Sequence, residues 1–143
     1  PDYLTEALTQ YRRGFRPSEQ LQEPYAMVGV NVVTAASDDE ARRLFTSTQV
    51  ASVDMLRGLR EPMGPAIDDI EPYWTAEEKR AVEHKLKYSC VGSADSVRQQ
   101  LGALIRETAA DEIMTTVRFF DAEAGLRSLE ILARVRDEIA SDG

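Results

Sequence analysis

The chain has 143 residues, 43% hydrophobic and 29% charged, with eight glycines and six prolines, the profile of one globular domain rather than a disordered or fibrous polypeptide. Seventeen Lys and Arg against 25 Asp and Glu leave a formal net charge of -8, which argues against nucleic acid or an anionic membrane as partner. The single cysteine, Cys90, excludes an internal disulfide and a cysteine-based zinc cluster and suits a reducing cytoplasm, and no apolar run approaches the roughly 20 residues of a membrane span.

From Pro1 to Phe15, Leu4, Leu8, Tyr11 and Phe15 recur at helical spacing, with Asp2 as the expected cap. Arg16-Pro17-Ser18 ends that helix. Tyr25 to Thr34 then alternates Val28, Val30 and Val32 with Met27, Gly29 and Val33, both faces mainly apolar, as in a strand of a parallel sheet covered on both sides. Ser37-Asp-Asp-Glu40 caps a helix running to about Leu56. Residues 58–87 form an insertion: an irregular loop with Pro62, Gly64, Pro65 and Pro72, then a charged helix opened by the capping box Thr75-Ala-Glu-Glu78. Val91-Gly92-Ser93 leads into a helix with Val97, Leu101, Leu104 and Ile105 on one side, and Ser93 stands at its cap. Ile113 to Phe120 reads as a strand, and Ala122 to about Ala140 as a helix with Leu126, Leu129, Leu132 and Ile139.

The predicted class is therefore α/β, with two strands of parallel character among five helices. Two strands cannot satisfy their own backbone groups, so the sheet is completed either by further segments or by a copy of the chain. The insertion follows the C-terminal end of the first strand, where β/α folds place ligand-binding loops.

These stretches, Tyr11-Arg-Arg-Gly-Phe-Arg-Pro-Ser18, Pro24-Tyr-Ala-Met-Val-Gly-Val-Asn-Val32, Asp38 to Ser47, Val91-Gly-Ser93 and Asp111-Glu-Ile-Met114, in this order resemble the C-terminal part of luciferase-like, flavin-dependent monooxygenases. The resemblance implies a partial (β/α)8 TIM barrel, its last two β/α units plus the helical insertion. It also implies FMN or a related flavin as cofactor, a small organic substrate and dioxygen, and a flavin reductase as possible partner. The family's upstream strands, which form most of the flavin pocket, are not in this sequence. The chain alone is then expected to be inactive and to associate with itself. The alternative is a non-catalytic remnant module that oligomerises, and net charge alone supports a third option, an acidic interaction domain.

Gly92 and Ser93 offer backbone N–H groups and a hydroxyl to a cofactor phosphate at a helix N-terminus, or Ser93 merely caps the helix. Asn31, polar in an apolar strand, needs a partner from the core or a ligand. Trp74, at the end of the insertion loop, is placed by the resemblance at the barrel mouth, where it either shapes the substrate pocket or anchors the loop. His84 lies in a charged run and reads as a solvated histidine, Cys90 as a buried thiol. Asp68, Asp69 and Glu71 have no neighbouring histidine, so no metal is proposed.

Overall fold

A computed structural model describes residues 3–141, which leaves the anticipated Asp2 cap outside them. In chain order the elements are α1 (Tyr3–Gly14), β1 (Met27–Thr34), α2 (Asp38–Leu56), α3 (Ala76–Lys85), β2 (Ser89–Gly92), α4 (Ala94–Thr108), β3 (Glu112–Thr116) and α5 (Ala122–Ser141). The five helices fall where periodicity places them. The strand count needs correction: Ser89–Gly92 forms a third strand, so there are three β/α pairs rather than two.

The three strands are parallel, in the order β2-β1-β3. β1 is central, so the chain steps off it to reach β2 and then crosses it to reach β3. Right-handed crossovers in opposite directions put the linking helices α2 and α4 on opposite faces. Side chains agree with this. Val28, Val30 and Val32 cluster with Cys90 of β2, Leu8 of α1, Val97, Leu101 and Leu104 of α4, and Leu132 and Val135 of α5. Each fully buried valine side chain contributes about 1.5–3 kcal/mol relative to exposure. On the other face α2 covers only the C-terminal end of β1: Val33 is buried, whereas Met27 is 47% exposed and Met114 of β3 53%. The expectation of a strand sealed on both sides is thus corrected, because no element of the described residues roofs the first half of that face.

Long-range polar pins fix the remaining segments. The Arg12 guanidinium donates to the carbonyls of Thr108 and Ala109 at 2.8 and 2.7 Å, tying α1 to the C-terminus of α4 where cations are favoured. The insertion loop is held along α2: Ile67 N–H donates to Thr46 Oγ1 at 2.9 Å, Arg43 pairs with Asp68 at 2.6 Å, and Tyr73 Oη donates to Asp54 at 2.6 Å. The capping box of α3 is complete, with Thr75 N–H donating to Glu78 Oε2 at 2.7 Å and Glu78 N–H to Thr75 Oγ1 at 3.2 Å. At the outer border of the sheet the Gln100 carboxamide both accepts from Val91 N–H and donates to Val91 C=O, each at 3.0 Å. It takes the place of a neighbouring strand. β3 has β1 on one side and, among the described residues, no strand on the other.

Candidate functional site

The register of the sheet gives Asn31 its partners. It stands opposite Ser89 on β2 and Thr116 on β3, and these three side chains form a polar row across the strands. Asn31 Nδ2 donates to Ser89 Oγ at 3.3 Å and Oδ1 accepts from Thr116 Oγ1 at 2.7 Å. Both ends of the carboxamide are thereby oriented. Asn31 and Thr116 of this row line a cavity of about 450 Å³ at the C-terminal ends of β1 and β3. Val33, Thr48, Ser52, Met55 and Met63 supply further lining, with Arg60, Lys85 and Arg118 as the cations. That volume lies in the range of small-molecule sites, and the strand ends are where parallel β/α folds bind ligands. A larger groove, about 580 Å³, runs between α4 and α5 beside β3 and is lined mainly by Leu101, Ile105, Ile113, Leu129, Leu132 and Ile139. It lies away from the polar row and beside the unpaired border of the sheet.

Gly92 and Ser93 lie elsewhere, where Asp38 of α2 reaches the start of α4. Ser93 N–H donates to Asp38 Oδ1 at 2.7 Å, so the amide that a phosphate would need already holds an internal carboxylate. Hydrogen bonds from the Ser93 N–H, then from the Ser96 and Ser93 hydroxyls, hold the Asp38 carboxyl below the usual carboxylate range. Ser93 is the N-cap by position, but its hydroxyl makes no capping bond to the helix backbone. It lies 3.3 Å from Ser96 Oγ instead. Gly92 has φ +152°, and a Cβ there would sit 2.6 Å from Ser96 Cβ and 2.7 Å from Asp38 Oδ1, so only glycine lets the carboxylate close on the helix.

Trp74 is half-buried within its own loop: Nε1 donates to Glu71 Oε2 at 3.3 Å and the Lys79 ammonium stands 5.5 Å from the ring centroid. It does not line the cavity beside Asn31. His84 is exposed, its ring edge-on to Tyr3 at 6.1 Å. Burial pushes the Cys90 thiol up to about 11, which leaves it protonated and unreactive at neutral pH. Ser89, Thr116 and the three cations were not singled out from the sequence. Only the pairing register, which sets Ser89 and Thr116 opposite Asn31, would have found the first two. Among the described residues no group of three or more His, Cys, Asp or Glu is gathered as for a metal ion, and no helix is long and apolar enough to cross a membrane.

No protein-family model matches the chain. It is 41% identical over 139 residues to a "Luciferase-like monooxygenase" of Escherichia coli (strain K12), a match covering 97% of this chain and 42% of that protein. It is 36% identical over 135 residues to the uncharacterized protein YvbT of Bacillus subtilis (strain 168), covering 94% of this chain and 40% of YvbT. Among solved structures, the crystal structure of apo-MsnO8 superposes with a TM-score of 0.82 at 28% identity, over 96% of this chain and 42% of MsnO8. The chain therefore spans 42% of the first of these relatives and a similar share of the others. These likenesses support a luciferase-like family.

Proposed function

We propose that this chain is the C-terminal part of a luciferase-like, flavin-dependent monooxygenase, one wall of a (β/α)8 barrel that uses reduced FMN and dioxygen on a small organic substrate. The observation that carries this reading is the pair Asn31 and Thr116, set in register by the row that Ser89 completes, lining a cavity at the C-terminal strand ends, the ligand-binding end of such barrels. Its context is a chain 41% identical to a luciferase-like monooxygenase.

The residues present fit one side of a flavin site. Asn31 and Thr116 offer amide and hydroxyl groups to a polar ring edge, and Val33, Met55 and Met63 offer an apolar surface to a ring face. At Gly92 and Ser93 a phosphate would have to displace Asp38, which already holds the Ser93 N–H. Reduced FMN, when bound, supplies the electrons for dioxygen chemistry. The chain's own contribution is positional: Ser89 and Thr116 lock the Asn31 carboxamide, and α2 with its following loop shields the strand ends from water. Activity then requires the remainder of the barrel, with a flavin reductase as the source of reduced cofactor. The second reading, a non-catalytic module that oligomerises, draws on the unpaired border of β3 and on exposed Leu129 in the groove beside it.

The test mixes this chain with the portion of the Escherichia coli relative that lies outside the match and follows quenching of FMN fluorescence. The flavin reading expects FMN to bind the co-eluting complex more tightly than it binds the chain alone. A complex that forms but leaves FMN fluorescence unchanged refutes it and favours the second reading.

A further inference from the structure

We infer that the cavity at the strand ends takes an oxyanion carried by a small molecule with an apolar body. Arg60 lies in the loop after α2, Lys85 at the last residue of α3 and Arg118 two residues beyond β3, and all three line this cavity against a single acid, Glu61. Among the described residues none of these cations is in an ion pair with a carboxylate. Lys85 Nζ instead contacts the Met55 thioether at 3.2 Å, a weak acceptor for an ammonium. Elsewhere among the described residues Arg42, Arg43, Arg57, Lys79, Arg127 and Arg136 each pair with an acid while Arg13, Arg16, Arg80, Arg106 and Arg134 do not, so what sets Arg60, Lys85 and Arg118 apart is that they share one cavity. In a chain with 25 acids and 17 bases, three cations left without acids around one concavity form a local positive field that an external anion would complete.

The rest of the lining sets the shape of the ligand. Guanidinium groups grip carboxylate and phosphate oxygens through paired N–H donors, which makes Arg60 and Arg118 the head-group contacts. Val33, Met55, Leu59 and Met63 make the apolar wall, and methionines adapt to irregular hydrocarbon bodies. Asn31 and Thr116 form a hydrogen-bonding floor. An acid group on the substrate and the phosphate of a cofactor present the same chemistry to this site.

The site is tested by titrating the 143-residue chain with octanoate, octanol, FMN and riboflavin while following the backbone amide signals of Asn31 and Thr116 by NMR. Saturable shifts with octanoate, at least tenfold weaker binding of octanol, and at least tenfold weaker octanoate binding in an Arg60→Gln/Arg118→Gln variant of unchanged melting temperature are expected. Shifts with FMN but not riboflavin identify the anion as a cofactor phosphate, and shifts with octanoate alone identify it as a substrate acid. Octanoate and FMN both failing to shift these signals, or the double variant binding as the parent does, overturns the inference. The octanoate arm needs no flavin, so FMN failing alone leaves the anion site standing, and the flavin reading is decided separately by the reconstituted complex.

Discussion

Replacing Gly92 by alanine probes the contact that joins α2 to α4. At φ +152° an L side chain strains the backbone by about 1–3 kcal/mol. The new methyl also meets Ser96 Cβ at 2.6 Å and Asp38 Oδ1 at 2.7 Å, and overpacking of that kind costs about 1–3 kcal/mol more. Together the expected loss is about 2–6 kcal/mol, read as a lower urea midpoint at unchanged m-value. Gly29→Ala is the control: no heavy atom lies within 4 Å of its would-be Cβ and its φ is not positive, so the outcome is neutral to about 1 kcal/mol stabilising. Adding Asp38→Ala to Gly92→Ala removes one of the two clashing partners, so the pair is expected to be less than additive. A Gly92→Ala loss under about 1 kcal/mol at constant m refutes the account of this contact.

Acid sensitivity follows from Glu78, whose carboxyl the Arg57 guanidinium, then the Thr75 N–H, lowers from 4.5 to about 2. Its folded pKa is depressed, so its contribution is present above about 4.5 and lost as the pH falls toward about 2. Glu78→Gln should flatten the melting temperature against pH across that window, and coincident slopes for parent and variant contradict the assignment. Cys90, 4% exposed with its thiol pushed up to about 11, should react with Ellman's reagent at about pH 8 only after unfolding, and rapid stoichiometric labelling of native protein contradicts its burial. The open border of β3 with exposed Met114, Leu126 and Leu129 should make the sedimentation coefficient rise with concentration, whereas a monodisperse monomer at every concentration contradicts this.

Elements with a repeating side-chain pattern were legible in the sequence, and elements defined by distant partners were not. Val28, Val30 and Val32 announced β1, and Val97, Leu101 and Leu104 announced α4. Ser89–Gly92 is too short to show an alternation, and it is a strand because β1 provides its ladder. The segment from Val117 to Phe120 has strand composition, yet β3 ends at Thr116. There Asp121 Oδ1 accepts from the N–H groups of Glu123 and Ala124 and starts α5. Ser93 looked like an ordinary cap, but its N–H is claimed by Asp38, 55 residues earlier, a competitor that no local window contains. Asn31 was recognisable as a polar residue needing partners. Which partners depended on strand register, and so did the gathering of Arg60, Lys85 and Arg118 from three separate loops and helix ends.

The Gln100 carboxamide, by occupying the backbone of Val91, makes the sheet directional. New strands can join through β3 directly, whereas one joining at Val91 must first displace Gln100. For copies of this chain meeting edge to edge, a single adhesive border means that two molecules related by a two-fold axis consume each other's valence. Stoichiometry then halts at a pair, whereas a chain adhesive on both sides would polymerise into a filament.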